Sequence, residues 1–184
     1  SWRQALAASM DRLLLQLQGD GLELRRQGDG GLQDVANLPV PPARGEGIDP
    51  LAGVLTRQAA ELPRWLLLPA ASGLRRPLLL PAAARERLRE VLGFEIERQT
   101  PFAAGDVLYD GRVLGVRDDG QLQAELVVVP RARADAALAR LGALSGWLAG
   151  VDLADAEGRP LGVNLLPVAQ RHQFIDFGTD AGLF

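Results

Sequence analysis

The chain has 184 residues and contains no cysteine, no lysine, one histidine, one methionine and 5% aromatics. These absences exclude whole chemistries. Without cysteine there is no thiol nucleophile, no disulfide and no Cys-based zinc site, and without lysine there is no Schiff-base amine and no P-loop cation. A Ser-His pair would have to join His172 to Ser1, Ser9, Ser72 or Ser145, and none of these sits in a G-x-S-x-G turn. Enzymes built from carboxylates alone survive the elimination, although no paired-acid pattern stands out from the surface charges. No apolar run reaches the roughly 20 residues of a membrane-spanning helix, and no signal-peptide pattern is visible.

Charge is abundant but dispersed. All 20 basic residues are arginines, the net charge is -3, and no cluster forms a footprint for nucleic acid. The 47% apolar content suffices for a core of one domain or two small ones. Zero cysteine fits a reducing compartment.

The hydropathy pattern predicts a β-β-β-α-β order over residues 1–73. A short amphipathic helix is expected over residues 1–10. Two alternating runs flank Gly19-Asp20-Gly21 as a hairpin, and a second glycine turn at residues 28–31 leads to a short strand at 32–35. Residues 37–50 read as an exposed Pro/Gly-rich connection. Asp49 and Pro50 look like the cap and first position of a helix running to about Glu61, and Trp65 opens an apolar run expected of a strand buried on both faces.

Residues 74–129 predict an inserted strand-helix-strand-strand unit. It comprises an edge strand interrupted by Pro77, a Pro81-led helix to Gln99, and two strands joined through Asp118-Asp119-Gly120. Residues 130–160 then supply an amphipathic helix and a strand that return to the first sheet, and 161–184 form a tail in which His172 is expected to be exposed. Within the inserted helix, Leu88, Leu92 and Ile96 recur at helical spacing, and a wheel places Glu95 inside that buried stripe, where a carboxylate needs a partner. Glu95 is expected to be buried and satisfied, with Arg98 and Gln99 beside it. Phe102 and Tyr109 read as core residues or as the wall of a groove.

Four stretches in order, REVLGFEIERQTPF (89–102), VLYDGRVLG (107–115), ELVVVPRARADAALARL (125–141) and NLLPVAQR (164–171), carry a resemblance. Together they are similar to the cytoplasmic region of the L component of bacterial type II secretion systems, and more distantly to the type IV pilus M protein. The E-x-x-R-Q-T-P-F run at residues 95–102 is the most specific part. The resemblance implies an actin-like fold on a ribonuclease-H-type sheet, with the 74–129 unit inserted in the lobe. It implies a non-enzymatic scaffold without cofactor on the cytoplasmic side of the inner membrane, in a parent that crosses the membrane once outside these residues. The implied partners are the N-terminal domain of the secretion ATPase and, through the parent, other platform proteins, with a homodimer left open.

Arg75, Arg76, Arg98, Arg112 and Phe102 are the residues expected at the partner surface. Asn164, Leu165, Leu166 and Pro167 resemble the docking motif of the pilus N protein, and are read either as an intramolecular docking motif or as a plain linker. The acidic loop that nucleotide-binding actin-like proteins carry after the first strand is missing here, because Gly19-Asp20-Gly21 lacks a strand-end aspartate. The tail residues 176–179 (DFGT) do look like such a loop, either as the start of a second lobe or as foreign sequence. An M-type nucleotide-binding pilus protein is the alternative function.

Overall fold

The computed structural model describes residues 11–172; the helix expected at residues 1–10 and the tail motif at 176–179 lie outside them. Three antiparallel strands open the chain: β1 (Arg12–Gln18), β2 (Gly21–Gly28) and β3 (Gly31–Pro39). Gly19 turns the first hairpin at φ +56°, the left-handed region that favours glycine. The strand expected at 32–35 is therefore longer, taking in the start of the Pro/Gly-rich connection. β4 (Arg64–Leu68) and β8 (Leu148–Leu153) follow, giving the order β3-β2-β1-β4-β8 with β1, β4 and β8 parallel. This is the ribonuclease-H-type sheet of an actin-like lobe.

Alternation of side chains along the strands separates two faces. Leu13, Leu15, Leu66, Leu68, Val151 and Leu153 point into the main core, where α4 (Arg131–Leu141) adds Ala134 and Leu141. Leu14, Trp65, Leu67 and Ala154 form a smaller cluster on the other face.

The second sheet, β5 (Leu74–Leu80), β7 (Leu122–Pro130) and β6 (Val107–Val116), has the order β5-β7-β6, so β5 and β6 are its edges. Its central strand is buried on both sides. Val127 and Val129, with Leu108, pack into the lobe core, whereas Ala124, Leu126 and Val128 pack beneath the short helices α2 (Leu88–Gly93) and α3 (Ile96–Gln99). The insert thus lies between its own helices and the lobe.

Two expected helices are corrected. The segment after Pro50 makes turns as far as residue 54, and only α1 (Arg57–Ala60), capped by the Thr56 hydroxyl, is helical. Gly53 at φ +85° breaks the path, and Asp49 caps a turn instead: its carboxylate accepts the Leu51 N–H at 2.9 Å. The helix expected from Pro81 to Gln99 is three pieces, a 3-10 stretch (Ala82–Arg87), α2 and α3. Gly93 lies against the Tyr109 hydroxyl, within 2.7 Å of where a Cβ would stand, and glycine's poor helix propensity weakens the same point. Leu88, Leu92 and Ile96 keep their spacing across the break and remain buried.

Candidate partner-binding surface and the docked tail segment

Register places the four expected partner-surface arginines on different sides of the insert. Glu125 of β7 is opposite Arg112 of β6 and Pro77 of β5, on the sheet face turned toward the lobe. Its carboxylate, 8% exposed, receives Arg112 Nε at 2.9 Å and Arg75 Nη2 at 3.1 Å. Arg112 also donates from Nη1 to the Leu161 carbonyl at 2.9 Å. Arg76 projects to the helix side, where its Nε donates to the Gln99 carbonyl at 3.0 Å. Arg98 is 77% exposed and meets Glu95 at 3.6 Å. The structure therefore joins Arg75 to Arg112 through one carboxylate and leaves Arg76 and Arg98 on the opposite face.

Glu95 departs from the helical wheel. It sits at the break between α2 and α3, its side chain is 21% exposed, and its side-chain partners among the described residues are Arg98 and Gln99, one turn away. The broken helix rotates it off the buried stripe. Thr100 is the buried polar residue of that run: its hydroxyl donates to the Ile96 carbonyl at 2.7 Å and accepts the Phe102 N–H at 3.2 Å. Phe102 and Tyr109 pack, half-buried, against the insert core. The exposed apolar groups of the insert are Phe94, Leu79 and Val116. Leu79 borders a groove of about 310 Å³ with Pro77, Leu78, Leu114, Gln123 and Ala124.

Residues 161–167 lie along the free edge of β8. Leu161 N–H donates to the Leu153 carbonyl at 3.0 Å and Leu165 N–H to the Val151 carbonyl at 2.8 Å. The Asn164 side chain completes the edge pairing, its Oδ1 accepting Val151 N–H at 3.1 Å and its Nδ2 donating to the Ala149 carbonyl at 3.2 Å. Leu165 and Leu166 are 1% and 3% exposed within the lobe core, and Pro167 follows them before a short 3-10 turn (Val168–Gln170). His172, expected to be exposed, is half-buried: its N–H donates to the Leu148 carbonyl at 2.7 Å and its ring lies 5.2 Å from that of Trp147.

Two ion pairs made by buried arginines were not foreseen. Arg12 and Asp152, 1% and 0% exposed, meet at 3.0 Å, with Arg12 stacked on the Trp65 ring and donating to Gln27. Asp152 further accepts the N–H groups of Leu153, Gly162 and Val163. Burial pushes the Asp152 carboxyl up, against the pull of the Arg12 charge and the backbone donors. Arg64, 0% exposed, holds Asp49 through both Nη atoms. At Asp49 burial also acts upward but is outweighed by the Arg64 bond, the Leu51 N–H and the Arg64 and Arg44 charges, so its pKa is lowered. The available signal was positional: Arg12 and Arg64 each precede a run of leucines at the start of a strand, and Asp152 interrupts a strand otherwise apolar.

The carbonyls of two turns, the one after β1 and the one after β4, accept from arginines of α4. Arg140 donates to the Gly19 carbonyl, and Arg133 to the Ala71 carbonyl at 2.9 Å. The crevice beside them, about 300 Å³, is lined largely by Leu17, Leu66, Leu67, Leu68, Ala136 and Ala137. Among the described residues no group of three or more His, Cys, Asp or Glu side chains is placed to hold a metal ion, and no helix is long and apolar enough to cross a membrane.

Sheet order, insert and docked tail together define an actin-like lobe of mixed α/β class. No family model matches the chain. It is 52% identical over 170 residues, 92% of its length, to the type II secretion system protein L of Xanthomonas campestris pv. campestris. The chain spans 44% of that relative's length. Two solved structures are also similar: the cytoplasmic domain of EpsL, an inner-membrane component of the type II secretion system of Vibrio cholerae, and the PilM-PilN type IV pilus biogenesis complex. The first is 19% identical with a TM-score of 0.47, covering 78% of this chain and 56% of that one; the second is 21% identical with a TM-score of 0.46, covering 71% and 43%.

Proposed function

We propose that this chain is a non-enzymatic scaffold domain on the cytoplasmic face of a type II secretion inner-membrane platform, and that it recruits the N-terminal domain of the secretion ATPase. The observation that carries this reading is the 52% identity to protein L over nearly the whole chain. A residue inventory without cysteine or lysine supports the non-enzymatic part. Other platform proteins would be contacted by parts of the parent outside these residues.

The surface we assign to the ATPase is the outer edge of β5 with the groove beside it. An edge strand offers unpaired backbone groups, and among the described residues this one has no neighbour on its outer side within the sheet. Arg75 and Arg76 mark one end of the strand and Leu79 the other. Arg98 and Phe102 would rim the surface on the helix side, while Arg112 holds Glu125 and Arg75 in place from behind. An interface of ordinary size buries about 1,600 Å² in total, with few anchors, and arginine is enriched among such anchors.

The test is capture of the cognate ATPase N-terminal fragment by the purified domain, repeated with Arg75→Ala, Arg76→Ala, Arg98→Ala and Arg112→Ala. Recruitment predicts capture by the wild type and its loss or weakening in the Arg75 and Arg76 variants. A folded wild type that captures nothing refutes the recruitment reading; equal capture by all four variants refutes the choice of surface.

A further inference from the structure

The tail segment that lies on β8 is also bonded to the insert, and these two attachments alternate along a few residues. On the lobe side, Leu161 and Leu165 bond to Leu153 and Val151, Asn164 to Val151 and Ala149, and Gly162 and Val163 to Asp152. On the insert side, the Leu161 carbonyl accepts Arg112 Nη1, and Asn164 N–H donates to Asp110 Oδ2 at 2.8 Å. Arg112 is the residue that holds Glu125, and through it Arg75. Arg171, farther along the segment, donates to the Leu166 carbonyl and lies close enough to Asp110 and Arg89 for their charges to act on it.

We propose that residues 161–172 are a coupling strap: docking of the strap on β8 and ordering of the Arg112–Glu125–Arg75 cluster on the insert are one event, so that displacing the strap loosens the cluster. The physical ground is the shared backbone. The strap cannot leave β8 at Leu161 and Asn164 without also breaking the Arg112 and Asp110 bonds, because the same two residues carry both sets. Glu125, 8% exposed, is then left with fewer restraints on its arginines.

As a regulator of the partner surface, the strap rests on the recruitment reading above; as a clamp between two sheets, it does not. Two experiments separate these. First, without partner, exchange rates are measured by NMR at sites the mutated side chains do not touch: the Leu165 amide in Asp110→Ala, and the Arg112 Nε–H in Asn164→Ala. Coupling predicts that each exchanges at least about tenfold faster than in wild type, and that Asp110→Asn, which keeps an acceptor, restores the Leu165 rate. Unchanged rates in variants with the wild-type circular dichroism spectrum overturn the proposal. Should Asn164→Ala fail to fold, the Asp110 pair decides alone.

Second, the ATPase fragment is titrated into wild type and Asp110→Ala. A docked strap pre-organises the surface, so Asp110→Ala should bind about fivefold more weakly or worse, the lower end of ordinary coupling between sites. By reciprocity, bound fragment should slow Leu165 exchange in the wild type. Equal or tighter binding by Asp110→Ala overturns the regulatory part. A wild type that binds no fragment refutes recruitment, and the exchange experiment then decides the clamp by itself.

Discussion

The lobe and the insert each bury an acidic residue among arginines, and they do so differently. In the lobe, Asp152 has no exposure and receives one guanidinium and three backbone N–H groups. In the insert, Glu125 is 8% exposed and shares two arginines, of which Arg75 is 35% exposed. The first arrangement joins β1, β8 and the loop after β8, elements far apart in sequence, with every acceptor position used. Such a pair adds little net stability against an apolar alternative, but breaking it strands a charge. The second arrangement leaves one arginine partly exposed to solvent, where a partner could reach it. On the proposed function, charge in the lobe serves the fold and charge in the insert serves recognition.

The difference predicts a graded set of effects. Asp152→Ala should be the most damaging change, about 3–5 kcal/mol in urea unfolding, because it leaves Arg12 buried without a counter-charge and orphans the Gly162 and Val163 donors. A loss under 1 kcal/mol would erase the contrast. Gly150→Ala comes next, at about 1–3 kcal/mol, since its new Cβ would stand 2.5 Å from the Trp65 ring on the Arg12 face of the sheet.

Asp49 gives the contrast a pH dependence. Its folded pKa is lowered, so the stabilisation from its pairing with Arg64 is fully present above the unfolded aspartate value of about 3.9 and is lost as pH falls through the folded value. The stability gap between wild type and Asp49→Asn should be constant from neutral pH to about 5 and close on further acidification. A gap that widens toward acid would contradict the ion-pair account. In the insert, Arg75→Ala should cost under about 1 kcal/mol, and Arg98→Ala, at an exposed position, no more than about 0.5 kcal/mol.

Strands and sheet edges were legible because they are written in alternation and turn residues. The glycine turns, the buried run at β4 and the Pro77 edge strand all lie where the pattern puts them. The helices at 50–61 and 81–99 were misjudged because periodicity reports which residues share a face and is silent on breaks. The buried stripe of Leu88, Leu92 and Ile96 survives a break at Gly93 to Glu95 that a tertiary contact, Tyr109 against Gly93, helps to set. Glu95 was misplaced for the same reason. The candidate surface was less legible still. Single arginines carry no mark of direction, and only the register of β5, β6 and β7 reveals that Arg75 and Arg112 share a carboxylate while Arg76 and Arg98 do not. Asn164 to Pro167 carried a motif, but its second attachment, Asn164 to Asp110, and the neighbouring one of Leu161 to Arg112 depend on the packing of the insert against the lobe, which no local pattern encodes.

The central claim, that charge in the insert serves recognition while charge in the lobe serves the fold, is tested most directly by one paired measurement on Arg75→Ala/Arg76→Ala. Calorimetric titration with the cognate ATPase N-terminal fragment and urea unfolding are run on the same preparations. The account predicts saturable binding by the wild type, at least about tenfold weaker binding by the double variant, equivalent to about 1.4 kcal/mol, and an unfolding midpoint close to that of the wild type. A double variant that binds as tightly as wild type but unfolds at markedly lower urea would contradict it, because the insert arginines would then be structural and the recognition surface would lie elsewhere.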